Sequence, residues 1–314
     1  MIYQAVHKPV LLKEVLHYVI KDRNGIYVDC TVGEGGHSEA ILSRLSAEGR
    51  LIGVDKDAEQ LELARLRLKK YEDRCTLIKG DFRELPSILD VYNIKLVDGI
   101  LMDLGVSLYQ LSNPQRGFSF QQDGPLDMRF DRNSKPSAAE LIDSLSQEKL
   151  KEIISRFGQE RWAGRIARAI VLRRRKRRIE TTKELSQLIC QVLPSYSKYR
   201  IHPATRTFQS LRIAVNQELE ELEETIVNLA KRLKGGARMV VISFHSLEDK
   251  LVKNAFRFLA KGCLYPPEIS PCSNEKKPVF KIITKRPIRP SFEEIEANPR
   301  SRSARMRVGE SMGA

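Results

Sequence analysis

The sequence lacks any segment that would place the chain in or across a membrane. Within 314 residues, no apolar run approaches the roughly 20 residues that a membrane-spanning helix needs. The opening residues Met1-Ile2-Tyr3-Gln4 do not form the basic segment and apolar core that are typical of a secretory signal. We therefore expect a cytoplasmic protein.

Cysteine is scarce, and its distribution argues against a disulfide framework. The cysteines are odd in number and scattered, namely Cys30, Cys75, Cys190, Cys263 and Cys272. Cys263 and Cys272 flank a proline-rich loop. Two thiols without a Cys-x-x-Cys spacing or paired histidines do not supply the four ligands of a structural zinc site. We therefore expect no metal.

Positive charge, in contrast, is in excess. The formal net charge is +14 and the isoelectric point is about 9.6, which is more basic than a generic metabolic enzyme needs. Such an excess indicates a polyanionic partner, with nucleic acid as the first candidate and a membrane surface as its main competitor. With 41% hydrophobic residues, the chain can bury a full core and has room for two domains or one interrupted domain.

The first third of the chain alternates between strand and helix patterns, in the order that builds a parallel sheet with crossover helices. The predicted strands are residues 26–30, 50–54, 75–79 and 97–102, and the predicted helices are residues 38–45 and 58–70. Two more strands are predicted later, at residues 238–243 and 279–284.

Between these two sets of strands the pattern changes. Residues 109–135 are rich in Asn, Pro, Gly, Gln and Asp without periodicity, and residues 137–193 are helical by their spacing. Residues 205–233 look like one long helix that ends at Gly235-Gly236. We therefore predict an α/β fold in which a doubly wound sheet (1–107 and 201–314) is interrupted by a helical insertion (108–200).

The end of the first strand carries a glycine turn, Gly33-Glu34-Gly35-Gly36-His37. Glycines there let the backbone approach a ligand closely and adopt positive φ. A dinucleotide-binding fold prefers Gly-x-Gly-x-x-Gly, but Ser38 occupies the place of the third glycine. This departure disfavours a nicotinamide cofactor.

Carboxylates follow the next three strands. Asp55 lies about 20 residues after the glycines, where a carboxylate accepts hydrogen bonds from ribose hydroxyls; helix capping is the alternative. Asp81-Phe82 suits an adenine amine and ring, although Phe82 alone would more often be a core residue. Asp103 stands where the reactive end of a methyl donor would lie, or caps a loop.

A dense basic run lies inside the predicted insertion, and we interpret it as an RNA-binding segment. The run comprises Arg173, Arg174, Arg175, Lys176, Arg177 and Arg178. Charge runs are often only solvated faces, which is the alternative here. The planar guanidinium suits phosphate, so backbone contact is the stronger interpretation for Arg173, Arg174, Arg175 and Arg177.

Seven blocks together resemble the 16S rRNA (cytosine-N4) methyltransferase family, known as RsmH or MraW, nearly end to end. They are residues 31–38, 103–111, 116–120, 125–129, 202–206, 208–216 and 243–249. Single glycine motifs are weak evidence, but this many long blocks in family order are specific. Departures are Gln159, where an acid is usual, and residues 263–267, where many members have more cysteines.

The resemblance implies a Rossmann-like sheet that binds S-adenosyl-L-methionine, and methylation of a cytidine amine in the decoding region of 16S rRNA, free or within a 30S particle. The positions that match the family's donor-binding residues are Gly35, Gly36, His37, Asp55, Phe82, Asp103 and Gln110.

Asp103, or the backbone of residues 105–107, is our candidate for the acceptor that draws the amine hydrogens, and no dedicated base is expected. His245 is expected to shape the RNA or donor pocket; proton transfer is its alternative role. Residues 118–129 are candidates for holding the extruded base.

Two other functions remain open on the residues alone. A nicotinamide oxidoreductase would share the sheet and Asp55, but would favour the third glycine and would not need the basic insertion. A non-catalytic ribosome assembly factor that senses the donor would keep both the donor site and the basic surface. Transfer of labelled methyl groups to RNA would exclude the second.

Overall fold

The computed structural model describes residues 9–134, 136–193, 201–262 and 278–313. Cys263 and Cys272, and with them the departure at residues 263–267, lie outside this part of the chain. The chain divides into two compact units. The sheet unit comprises residues 1–105 and 219–314, and the helical unit comprises residues 106–218.

The sheet unit is built on seven strands in the order β3-β2-β1-β4-β5-β7-β6. The strands are β1 (Ile26–Asp29), β2 (Arg50–Asp55), β3 (Cys75–Lys79), β4 (Val97–Asp103), β5 (Leu233–Ser243), β6 (Phe280–Ile282) and β7 (Arg305–Ser311). The first five are parallel, and β7 runs antiparallel to both of its neighbours. The predicted doubly wound α/β fold with an inserted helical region is confirmed.

Alternating side chains of the strands enter two cores on opposite faces of the sheet. Val28, Ile100 and Met102 pack in one core, whereas Tyr27 and Leu101 pack in the other. The strands of a parallel sheet that is covered on both faces are continuous apolar runs in the sequence, and for this reason these strands could be predicted. The helices of this unit are α1 (Leu12–Val19), α2 (Gly36–Arg44), α3 (Ala58–Leu68), α4 (Leu85–Val91), α11 (Leu222–Ala230), α12 (Ser246–Ala260) and α13 (Phe292–Ala297).

The helical unit has a core of its own, to which Ile154, Ile166, Leu185 and Leu211 contribute. Its helices are α5 (Leu108–Ser112), α6 (Ala138–Ser144), α7 (Gln147–Gly158), α8 (Ala163–Arg174), α9 (Thr182–Val192) and α10 (Thr205–Asn216). In the described residues, no helix combines the length and the apolar content that crossing a membrane requires.

One sequence prediction in this region is wrong. Residues 205–233 are not a single helix, because α10 ends at Asn216 and α11 begins only at Leu222. Gln217 and Glu221 adopt left-handed φ values of 53° and 56°, which interrupt the helical hydrogen bonding. Gly235-Gly236, predicted as a helix cap, lies inside β5 instead.

Candidate functional site

The carboxyl ends of the parallel strands line one edge of the sheet. β1 and β4 are adjacent at the centre, where the strand order reverses, and Asp29 pairs in register with Leu101. Asp55 ends β2 and Asp103 ends β4. Open α/β sheets bind ligands at such a reversal, so these carboxylates define the candidate site.

The glycine turn after β1 is held in place by Asp55. The Gly33 amide donates to Asp55 Oδ2 at 2.8 Å, and the Asp57 amide donates to Oδ1 at 2.9 Å. Burial raises the pKa of Asp55 to about 6, although both of these hydrogen bonds oppose the rise. Asp55 therefore joins the turn to β2 and remains mostly ionised at neutral pH.

The turn itself needs glycine. Gly35 has φ of +81° and precedes α2, so any other residue there would be strained. At Gly36, a Cβ atom would lie only 2.7 Å from Pro9 Cγ, which leaves no room for a side chain. The first turn of α2 therefore presents bare backbone amides at this edge of the sheet.

Asp103 is a buried carboxylate with one oxygen unused. Among the described residues, Asp103 Oδ1 has no hydrogen-bond partner, and Oδ2 lies 3.5 Å from His37 Nδ1. Burial raises the pKa of Asp103 well above its ordinary value, and the nearby Asp29 and Glu248 carboxylates add to the rise. Leaving such an acceptor unpaired costs about 1–3 kcal/mol, so the geometry favours a cationic or hydrogen-donating group at Oδ1.

His37 is buried and anchored on its far side. Its Nε2 lies 2.9 Å from the Val10 carbonyl oxygen. Because a carbonyl only accepts, Nε2 carries the hydrogen, and the Nδ1 atom is left facing Asp103. His37 therefore positions the Asp103 carboxylate rather than pointing into open solvent.

Three residues to which the sequence analysis gave no role at this edge, Asp29, Thr31 and Ser38, complete it. The Ser38 hydroxyl donates to Asp29 Oδ2 at 2.7 Å, and the Asp103 amide donates to Thr31 Oγ1 at 2.6 Å. Burial raises the pKa of Asp29 to about 6, against the hydrogen bonds from Ser38 and Thr31. An ionisable residue at the end of an apolar strand was the signal that could have identified Asp29.

Phe82 is half-buried and begins a short 3-10 helix, Phe82–Glu84, after β3. Lys56 Nζ lies 6.0 Å from the centre of its ring. Burial raises the pKa of Asp81, but hydrogen bonds from Arg83 and Lys56 outweigh burial and leave it below the ordinary value. Asp81 is thus engaged by two cations, and the Phe82 ring remains the better candidate for contact with adenine.

Gln110 lies in the helical unit and is buried. Its backbone amide donates to Ser107 Oγ at 3.1 Å, and the Ser107 backbone amide donates to the Gln110 side-chain oxygen Oε1 at 3.0 Å. This reciprocal pair is a capping box that begins α5. A donor-binding role for Gln110 stays a prediction from the resemblance.

His245 caps the amino end of α12. Its Nδ1 accepts from the Glu248 amide at 3.3 Å, and its Nε2 lies 3.1 Å from Glu248 Oε1. Although it is this close to Glu248, the buried Nε2 atom makes no hydrogen bond with any described residue, so the geometry does not exclude proton transfer as its alternative role. Its predicted role in shaping a pocket remains untested.

The basic run divides into structural and unpaired cations. Arg174 donates to the Ile142 carbonyl, and Arg177 lies 3.5 Å from Glu184. Arg173 and Arg175, in contrast, have no ion pair with any described residue. Arg173 and Arg175 are therefore the better candidates for phosphate contact.

The irregular segment before α6 is held by buried polar contacts. Arg116 is only 1% exposed, and its Nη2 donates to the carbonyls of Arg129 and Phe130 at 2.8 and 3.0 Å. The Asn216 side chain bonds the Met128 carbonyl and the Phe130 amide, both at 2.7 Å. A segment without periodicity is thus fixed by long-range hydrogen bonds.

Gln159, where the sequence departs from the family pattern, ends α7. It is exposed and has φ of +50°, and its carbonyl accepts from Arg206 Nη1. The neighbouring Glu160 is buried and accepts from the Trp162 amide. The departure therefore lies at a surface position of the helical unit.

Comparison with known proteins now decides the family. Residues 4–312 match the sequence profile of the MraW methylase family. The chain belongs to this family. The ribosomal RNA small subunit methyltransferase H of Halothermothrix orenii is 48% identical over 305 residues, which cover 97% of this chain and 98% of that relative. The protein of the same name from Syntrophobacter fumaroxidans is 47% identical over 308 residues, covering 98% and 97%.

Among solved structures, TrmN from Thermus thermophilus overlaps this chain with a TM-score of 0.43 at 12% identity, covering 96% of this chain and 48% of that one. The overlap is too weak to bear on function. The family assignment, which confirms the resemblance found in the sequence, rests on the sequence matches.

Proposed function

We propose that this member of the MraW methylase family transfers a methyl group from S-adenosyl-L-methionine to the exocyclic N4 amine of a cytidine in the decoding region of 16S rRNA. The observation that carries the proposal is the buried Asp103 Oδ1, which lacks a partner among the described residues at the sheet edge beside the glycine turn. The names of the closely similar relatives, which specify the ribosomal RNA small subunit, support the choice of substrate.

The residues at the sheet edge fit an adenosine that carries a sulfonium. Asp55 would accept from the ribose hydroxyls, Phe82 would contact adenine, and Asp103 would face the cation. The backbone of Gly35 and Gly36 approaches closely, because neither position leaves room or conformation for a side chain. His37 and, by resemblance, Gln110 complete the proposed donor-binding set.

The donor supplies an electrophilic methyl carbon, and the chain supplies position and charge. The cytosine amine is a weak nucleophile because its lone pair is conjugated into the ring. Asp103 is a buried acceptor that could draw the amine hydrogens toward Oδ1 and so release that lone pair for attack. Once methylated, the amine is strongly acidic, so it needs no stronger base than a carboxylate or water.

RNA binding is proposed for the basic run of the helical unit. Arg165 and Arg168 are exposed on α8, Arg175 is exposed directly after the helix ends, and Arg173 in its last turn is half-buried. Guanidinium groups without an internal carboxylate partner are available to phosphate. Residues 118–129 remain candidates for holding the extruded cytidine.

The direct test is transfer of labelled methyl groups from the donor to small ribosomal subunits from cells that lack this enzyme, followed by nucleoside analysis. The proposal predicts N4-methylcytidine as the labelled product. Label on another base or position would refute the site of transfer. Donor binding without any transfer would instead favour a non-catalytic assembly factor.

A further inference from the structure

A cationic cavity lies in the sheet unit and is lined by residues of α12, β6, β7 and the segment after β6. Its volume is about 310 Å³, and it lies between α12 and the outermost strands of the sheet, β6 and β7. Phe256 and Ile282 contribute its apolar lining. Lys253, Arg257 and Lys285 also line it, and we call the space that they surround the cationic cavity.

The charges of the cationic cavity are poorly compensated. Lys253, Arg257 and Lys285 have no ion pair with any described residue. Arg307, which also lines the cavity, binds Asp249 with Nε–Oδ1 and Nη2–Oδ2 distances of 2.6 and 3.1 Å.

That same carboxylate is shared with Arg305, whose Nη1 lies 3.4 Å from Asp249 Oδ2. The cavity is therefore lined by four cations, of which Arg307 has a carboxylate partner among the described residues and the other three have none. A bound anion would compensate the three unpaired charges.

The arrangement is built by the secondary structure. Asp249, Lys253 and Arg257 follow one another at four-residue spacing, which places them on one face of α12. Thr284, in the segment after β6, accepts from the Val308 amide at 2.9 Å, so that Lys285 is held beside β7. The cations are thus presented by a packed framework.

Strand register relates the cavity to the candidate site. Arg305 pairs with Ser243, the last residue of β5, and Asp103 pairs with Ile242 of the same strand. Arg305 therefore lies at the sheet edge that carries Asp103, and Arg307 lies two residues farther along β7. A polyanion that reaches Asp103 could continue past Arg305 toward Arg307 and the cavity.

We propose that the cationic cavity binds a backbone phosphate of the RNA substrate, a second RNA contact in addition to the basic run. This inference rests on the proposed function for the identity of the RNA. Lysine and arginine side chains around an apolar lining suit a sugar-phosphate segment, since the cations neutralise phosphate and the apolar surface accommodates the sugar.

The test is Lys253→Gln combined with Lys285→Gln. The matched control is Lys13→Gln combined with Lys95→Gln, which removes the same charge from exposed positions on α1 and before β4. Neither lysine of the test pair holds an ion pair, so both double variants should melt at the wild-type temperature.

Binding of protein-free small-subunit rRNA is measured against KCl concentration without donor. The slope of log K against log salt should be shallower in the test variant by about 0.7–0.9, from one lost phosphate contact. It should be unchanged in the control. Affinity for S-adenosylhomocysteine and kcat should stay at wild-type values, while KM for RNA rises.

An unchanged salt slope in the test variant, with methyl transfer intact in the wild type, would overturn the cavity proposal and leave the proposed function standing. If the test variant shows a reduced salt slope but the wild-type protein transfers no methyl group, the result would support RNA binding by the cavity and refute the proposed function. If inorganic phosphate stabilises the wild type but not the test variant, and the RNA slope is unchanged, the cavity holds free phosphate and the proposal is wrong.

Discussion

The ratio of the protein's affinities for S-adenosylmethionine, which is cationic at sulfur, and for its product S-adenosylhomocysteine, which is not, should depend on pH because of Asp103. Burial, Asp29 and Glu248 raise the pKa of Asp103, so the free protein holds this carboxyl protonated to an unusually high pH. A sulfonium beside Oδ1 favours the ionised form. Binding of S-adenosylmethionine should therefore release a proton, and its affinity should increase as pH rises toward the pKa of free Asp103.

The size of the effect follows from charge and burial. Two unit charges about 4 Å apart attract by roughly 4 kcal/mol at an effective dielectric constant of 20. Each pH unit below the pKa of Asp103 subtracts about 1.4 kcal/mol for removing its proton. Asp103→Asn should therefore weaken donor binding relative to S-adenosylhomocysteine by at most about 4 kcal/mol, reduced by about 1.4 kcal/mol for each pH unit by which the assay lies below the pKa of free Asp103.

The assay is calorimetric titration of both ligands across a pH series in two buffers that differ in ionisation enthalpy. The ratio of the two affinities isolates Asp103, because Asp55 faces a part of the ligand that donor and product share. In the wild type the ratio should rise by at most tenfold per pH unit, and in Asp103→Asn it should be flat. A wild-type ratio that is independent of pH, or a variant with the wild-type profile, would refute the placement of the sulfonium at Asp103.

Three further predictions test other parts of the site. Asp55→Asn should weaken donor and product equally, by about 1.5–3 kcal/mol for a lost charged hydrogen bond, so a changed affinity ratio in calorimetry would contradict its ribose role. Gly35→Ala should lower the free energy of unfolding by about 1–2 kcal/mol, because alanine is strained at positive φ. The control Gly164→Ala, inside α8, should not lower it. Equal free energies of unfolding for the two variants in urea titrations would contradict this prediction. Arg173→Gln with Arg175→Gln should flatten the salt slope of RNA binding by about 1.5 and spare product affinity, and an unchanged slope would assign these arginines to the solvated surface.

The sheet could be predicted because its cause is local. Strands buried on both faces are continuous apolar runs, so the predicted carboxyl ends of five of the six predicted strands lie within one residue of the observed ends. β7 was not predicted. Arg305 and Arg307 interrupt its apolar pattern, and only the pairing of Arg307 with Asp249 makes this strand compatible with burial.

The sequence by itself determined the family, the residues that stand at the carboxyl ends of the predicted strands, and the excess of positive charge, because these depend on residue type and spacing. Only the tertiary structure decided which cations are free and which carboxylate lacks a partner. Arg174 and Arg175 are neighbours of one residue type, yet one bonds the Ile142 carbonyl and the other is exposed. Likewise, Asn216 at the end of α10 bonds a segment more than 80 residues away, and no local pattern encodes such a contact.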